Sequence, residues 1–318
     1  MMLEFIDSYL TGDAWEELCK SCFRMKYHDE HFTEIPAVHG GDGGIEGFTR
    51  TGRVYQCYCP EREYSDDELH NHLRDKMTKD IKKLVSLQYA TRLKELGVLN
   101  IKEWHFVVPR FKDSRIVAHA ETKRKEVLAL KKNNPKAYDY IDDGFAIIIK
   151  TAEDFKVEIS RIIRTTITDV KLNFAIFHVG KPDWSKCDSE KAANIKRKVK
   201  AVMGDVDESD EDFNDLVNMY IEAYINGLEI LRILREGYPE VFEDIHMLEQ
   251  SYKKQVKMIT RMNSDSSMNS KVFNEILNDF QNKLEQQFKY LNAASIMELK
   301  LDLISGWLAD CSMQFKGR

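Results

Sequence analysis

The chain has 318 residues, 43% hydrophobic and 31% charged, with a formal net charge of −6. That is the composition of a globular protein of one large or two ordinary domains, and the negative balance excludes a simple basic nucleic-acid-binding module. No apolar run approaches the roughly 20 residues that cross a bilayer, and the acidic stretch MMLEFIDSYLTGDAWEEL lacks the basic region of a signal peptide, so no membrane and a cytoplasmic location are expected.

Asp13 reads as the N-cap of a helix over residues 13–24, with Ala14, Leu18, Cys19 and Cys22 on its apolar side. Residues 31–38 read as a strand that ends at a run of glycines. Residues 45–50 and 53–59 read as two further strands joined by Thr51-Gly52, the second closed by Pro60. Leu69, Leu73, Met77, Ile81, Leu84 and Leu87 recur at spacings of three and four, which predicts a helix over residues 67–96 with Gly97 just past its end. Short apolar runs at 103–109 and 145–150 predict buried strands, with helices over 114–132 and 152–164. The alternating run DVKLNFAIFHV, residues 169–179, predicts one more strand. Strands interleaved with helices imply a mixed α/β sheet with helices on its faces.

The pattern changes after about residue 180. A basic helix over 191–204 and the acidic run GDVDESDED, residues 204–212, read as a connection. Four helical segments follow, over 212–237, 241–262, 271–291 and 295–315, with Leu216, Met219, Tyr220 and Ala223 as core of a small bundle. The division expected is an α/β (α+β) domain over 1–180, a basic helix and acidic linker over 181–211, and an all-α bundle over 212–318.

Six of the 15 glycines fall between Gly40 and Gly52, around Asp42 and Glu46. Glycines permit positive φ and let a large ligand approach the backbone. Glu46 lies on the first strand of the hairpin and Gln56, ten residues on, lies on the second. Alternation places Gln56 with Tyr58 on one face and Cys57 with Cys59 on the other. Two or three oxygen ligands on one face with open positions suit Mg²⁺, which activates water and stabilises charge developing on a phosphate.

This stretch resembles the active-site hairpin of the PD-(D/E)xK nuclease superfamily, the restriction-endonuclease-like fold, and within it the Mrr-type branch. GGDGGIEG, from Gly40 to Gly47, is similar to that branch's G-x-D-G-G-I-D-G run, with Glu46 for the second aspartate. VYQCY, from Val54 to Tyr58, is similar to its Q-A-K strand, with Gln56 at a metal-ligand position. Trp15-Glu16 is similar to the glutamate that follows an aromatic residue on the family's first helix. The order helix, three strands, helix, strand is that of the family's core, and the resemblance covers roughly residues 10–110. It implies a Mg²⁺- (or Mn²⁺-) dependent DNA endonuclease, with Glu46, Asp42 or Glu16, and Gln56 holding the metal. The family's lysine belongs at position 58, which is Tyr58. In some members that lysine has moved to the following helix, which makes Lys76 the expected water-orienting and charge-stabilising residue. A chain that had lost the lysine altogether would be an inactive nuclease fold kept for docking DNA or proteins.

A nuclease core with a helical tail also resembles effector subunits of bacterial antiphage systems, Lamassu and CBASS among them. That likeness implies double-stranded DNA as substrate and control by oligomerisation or by partner subunits of a defence complex. In the Lamassu neighbourhood one such partner is a structural-maintenance-of-chromosomes-like ATPase.

Other motifs carry simpler readings. The run Gly41–Gly44 lacks the Gly-Lys-Ser/Thr of a nucleotide-phosphate loop. Cys19, Cys22, Cys57 and Cys59 could bind zinc, yet Cys19 and Cys22 fall mid-helix, and buried thiols are the better account. His28, His31 and His39 read as exposed loop residues, with His39 near enough to Asp42 to support it. Lys191, Lys196, Arg197, Lys198 and Lys200, or else Lys123, Arg124 and Lys125, offer phosphate contacts if they are not simply solvated faces.

Overall fold

The computed structural model describes residues 6, 11–35, 44–165, 170–175, 188–204, 206–310 and 312–315. They form two compact units, one of residues 11–165 and one of Ile6 with the residues from 170 onward. Asp42 and His39 lie outside the described residues.

In the first unit a five-stranded sheet runs in the order β1-β2-β3-β4-β5. β1 (Thr33–Glu34), β2 (Gly47–Phe48) and β3 (Arg53–Cys57) form an antiparallel meander. β4 (Ile101–Val107) lies parallel to β3, and β5 (Ile141–Lys150) parallel to β4. The two parallel steps need crossover connections, supplied by helices. The first crossover holds α2 (Asp66–Leu84) and α3 (Leu87–Glu95); the second holds α4 (Arg115–Asn133). α1 (Gly12–Lys26) precedes the sheet; a 3₁₀ turn over Ala152–Phe155 leads into α5 (Lys156–Thr165) after it.

Alternation along β3 and β4 divides the core. Val54, Trp104 and Phe106 pack with Leu73, Met77, Ile81, Ile116 and Ala120 from α2 and α4. Tyr55 meets α1, its ring 4.4 Å from that of Phe23. Trp15 anchors the same helix by donating its indole N–H to the Val107 carbonyl at 3.3 Å. Each such fully buried large side chain contributes about 1.5–3 kcal/mol of apolar burial.

Several sequence expectations change in detail. The cap of α1 is Thr11, whose hydroxyl accepts from the Ala14 N–H at 3.3 Å, and not Asp13. Its buried stripe is Trp15, Cys19, Cys22 and Phe23, while Ala14 is exposed; the bulk of Trp15 sets which face turns inward. The helix expected over 67–96 is two helices. Ser86 adopts extended backbone (φ −73°, ψ 129°), so α2 stops and α3 restarts. Gly97 holds φ +85° past the end of α3, in the role expected of it.

The second unit is all helix apart from isolated bridges, among the described residues: α6 (Ser189–Met203), α7 (Glu211–Gly237), α8 (Pro239–Met262), α9 (Asn269–Gln287) and α10 (Ala293–Ala309). Tyr252, Phe280 and Trp307 form its aromatic centre, with ring centroids 4.7–5.8 Å apart. The α7 stripe is Phe213, Val217, Tyr220 and Ala223, whereas Met219 is exposed. Of the strand expected over 169–179, the described part makes isolated bridges from Leu172 to Ile6 and Leu291 in this unit and does not join the five-stranded sheet. Residues 176–179 lie outside the described residues. The acidic run after α6 is tied down. Glu208 pairs with Lys196 at 2.9 Å and Lys200 at 2.8 Å, and Asp210 caps α7.

Candidate functional site

The hairpin register decides the site. Gly47 faces Tyr55 at the start of β2, and Glu46 immediately precedes that pair. The Glu46 backbone is held from both sides, its N–H donating to the Tyr55 carbonyl at 2.7 Å and its carbonyl accepting from Ile35 at 2.8 Å. Its side chain is buried. Gln56 Nε2 donates to Glu46 Oε1 at 2.6 Å, and the Cys57 N–H donates to Glu46 Oε2 at 2.9 Å. Gln56 is 1% exposed and also donates Nε2 to the Cys57 carbonyl at 3.2 Å. Both amide protons are thus used, and Gln56 Oε1 is buried with no hydrogen-bond partner among the described residues.

Burial pushes the Glu46 carboxyl up to about 8, and the nearby Glu16 carboxylate pushes the same way. Hydrogen bonds from Cys57 and the charge of Lys76 pull it back. Glu16 on α1 and Lys76 on α2 therefore share the electrostatic field of Glu46, although they come from opposite faces of the sheet. Glu16 is held by Lys20 Nζ at 2.6 Å. Lys20 is itself buried and also lies 3.0 Å from Glu17 and from Glu34. Burial pulls its ammonium down, and the bonds to Glu16, Glu34 and Glu17 outweigh that, leaving it above the ordinary lysine value.

Lys76 is half-buried. Its Nζ lies 2.8 Å from Asp80 Oδ2 and 6.0 Å from the centre of the Tyr58 ring. The tyrosine at position 58 is thus the surface over which the α2 lysine extends. Asp80 is fully buried and also lies 3.8 Å from Lys83. Gly44, the first described residue of the glycine-rich run, packs on this turn. Gly44 has φ +80°, and a Cβ there would stand 2.4 Å from the Asp80 carbonyl oxygen. Its own carbonyl accepts from the Trp104 indole at 3.2 Å. The run that carries Glu46 into β2 is therefore pinned between α2 and β4.

The structure brings together Glu16, Glu46, Gln56 and Lys76. Lys20, which holds Glu16, escaped the sequence reading, whereas Asp80, which holds Lys76, shares that lysine's helix face by spacing. Each lies four residues from its partner, the spacing at which helical side chains meet, and Asp80 is a carboxylate inside the apolar stripe of Met77, Ile81 and Leu84. Cys19, Cys22 and Cys57 are buried, with thiols raised by that burial, and Cys59 is raised to about 11 for the same reason. His28 and His31 are exposed.

Several residues of the basic helices are engaged within the fold. Lys198 is fully buried, its Nζ donating to the Trp307 and Asp310 carbonyls, and Lys196 and Lys200 pair with Glu208. Lys123 pairs with Glu126, and Arg124 and Lys125 with Glu121.

Among the described residues, no three His, Cys, Asp or Glu side chains gather as a metal cage, and no helix is long and apolar enough to cross a membrane. No protein-family model matches the chain, and no curated protein or solved structure matches it.

Proposed function

We propose that the first unit is a metal-dependent nuclease domain of the PD-(D/E)xK kind, hydrolysing DNA phosphodiesters in the cytoplasm. The observation that carries this reading is the Glu46–Gln56 pair: a buried carboxyl raised to about 8, and, on the amide that touches it, a buried oxygen with no donor among the described residues. Both features suit a hard cation, which would offset the burial of the carboxylate and give the orphaned oxygen a partner. The topology supports the same reading: a helix, three antiparallel strands, a helical crossover, and a fourth strand parallel to the third.

Glu46 and Gln56 would hold Mg²⁺ or Mn²⁺, with Glu16 or Asp42 completing the set. Half a turn about the last Gln56 torsion exchanges its nitrogen for the orphaned oxygen beside Glu46. The bound ion would supply Lewis acidity and lower the pKa of water. Lys76, steadied by Asp80, would orient the attacking water and face the charge that develops on the phosphate. Because Glu46 must be ionised to hold a cation, affinity for the ion rises with pH up to about 8.

The all-helical unit we assign to self-association or to partner subunits, as in an antiphage effector. Met247, Met258 and Met262 lie exposed along α8 at spacings of eleven and four residues, which keeps them on one stripe.

A second reading is an inactive nuclease fold that docks DNA or protein, favoured by Tyr58 at the position of the family's lysine. The test is cleavage of supercoiled plasmid with Mg²⁺ or Mn²⁺, beside calorimetric Mn²⁺ titration. Cleavage and Mn²⁺ binding that both vanish in Glu46→Ala support the nuclease. Retained cleavage in Glu46→Ala refutes the site, and Mn²⁺-independent DNA binding without cleavage supports the docking reading.

A further inference from the structure

The helical unit holds a second site, which the nuclease reading does not use. A cavity of about 230 Å³ lies between α6, α7, α8 and α10. A dry cavity of about 150 Å³ already admits a benzene-sized guest. Leu228 lines this one and is 46% exposed, so the cavity reaches the surface.

Its wall is both apolar and acidic. Leu231 and Leu303 contribute the hydrocarbon, while Glu249, Asp302 and Asp310 contribute three carboxylates against the ammonium groups of Lys191 and Lys253. Lys253 is already engaged, 2.7 Å from Asp310 Oδ2 and 3.6 Å from Glu249 Oε1. Glu249 also accepts from the Trp307 indole at 3.1 Å. Asp302 has no such companion. It is 5% exposed, its Oδ2 is buried without a hydrogen-bond partner, and Glu298 on the same helix adds negative charge beside it.

The backbone is arranged to admit this acid. A Cβ at Gly227 would stand 2.9 Å from Asp302 Cβ, so only glycine lets α7 approach α10 here. Gly306, on the cavity wall, has nothing within 4 Å of where its Cβ would be. A buried carboxyl without a donor is a standing penalty in a fold, and a ligand that brings N–H donors and positive charge removes it.

We infer that this cavity binds a small organic cation, an ammonium or amidinium head on an apolar body, with the Asp302 carboxylate as its counter-ion. Burial holds that carboxyl up to about 8 in the empty cavity, and an arriving cation draws it back toward the ionised form.

The test uses the full chain and two isosteric probes, cationic benzamidinium and neutral benzamide, by isothermal titration calorimetry. Wild type should bind benzamidinium at least tenfold more tightly than benzamide. Asp302→Asn should erase that preference. Gly306→Leu, which fills the open space, should weaken both probes. Equal affinity for the two probes, no binding of benzamidinium, or an unchanged preference in Asp302→Asn overturns the proposal. If Gly306→Leu does not fold, the Asp302→Asn comparison decides alone.

Discussion

Glu46 in the α/β unit and Asp302 in the helical unit are both buried carboxyls, and burial raises both to about 8. Their surroundings differ. Glu46 accepts two N–H bonds, from Gln56 and Cys57, and feels Lys76, yet stays high because Glu16 adds like charge to its desolvation. Asp302 has a like charge nearby in Glu298 and a cavity beside it. The first carboxyl is held rigidly by its donors, as a metal ligand must be; the second is unheld and has room next to it. Burial raises both carboxyls, and the hydrogen bonds around each distinguish a fixed side chain from one with room beside it.

The comparison predicts a shared pH dependence and a divided effect on cleavage. Each carboxyl keeps its proton in the fold at pH values where the unfolded chain has released it. Each therefore removes stability as pH rises from the ordinary carboxylate range to about 8, and the full loss persists above that. Glu46→Gln should raise metal-free stability at pH 9 by an amount on the order of a few kcal/mol, since the introduced amide can accept from Cys57 and donate to Gln56 Oε1. The same substitution should lower cleavage at least about a hundredfold. Asp302→Asn should flatten the same alkaline slope and leave cleavage intact. Denaturant melts between pH 5 and 9 with a plasmid assay check both; a Glu46→Gln protein less stable than wild type at pH 9 breaks the comparison.

The effect next in size belongs to Lys76. Lys76→Met removes the ammonium that stands 2.8 Å from the buried Asp80 carboxylate, the shorter of its contacts with Lys76 and Lys83. Breaking a buried pair from one side costs about 3 kcal/mol. The double variant Lys76→Met/Asp80→Asn should recover most of that stability and none of the cleavage. Recovery of cleavage in the double variant would make Lys76 a structural residue and return the first unit to the docking reading.

How much of this was open to sequence reading follows from which forces are local. The Thr51-Gly52 turn between two alternating strands let Glu46 and Gln56 be expected on one surface, and their side chains meet. The family resemblance singles out Lys76, and the helical spacing puts Asp80 on its face of α2. That Asp80 is fully buried, with Gly44 packed on its carbonyl, emerges only in the fold. The break at Ser86 and the inward turn of Trp15 are tertiary choices between segments that local propensity leaves equal. Lys198 shows the same limit from the other side. In a run of lysines it reads as part of a solvated or phosphate-facing surface, and only the fold of α10 supplies the carbonyls of Trp307 and Asp310 that bury it.

The smallest effect tests whether the pinned glycine positions the site or merely shapes the chain. Gly44 and Gly52 are matched for strain. Gly44 has φ +80° and Gly52 φ +100°, and a Cβ at either would stand 2.4 Å from a backbone oxygen, that of Asp80 or of Asn100. Alanine at each should therefore cost about the same, roughly 1–3 kcal/mol. The two differ in what they press on. Gly52 lies at the tip of the hairpin, against the start of β4, while Gly44 lies two residues before Glu46 and on the turn of α2 that carries Lys76 and Asp80. Helix backbone yields little, so Gly44→Ala must lift residue 44 off α2 and carry Glu46, two residues on, with it. Cleavage should fall about tenfold or more in Gly44→Ala, since displacements near 1 Å have large effects on catalytic geometry, and stay near wild type in Gly52→Ala at matched stability. Equal losses in both variants would mean that cleavage follows global stability and that the contact between Gly44 and Asp80 positions nothing.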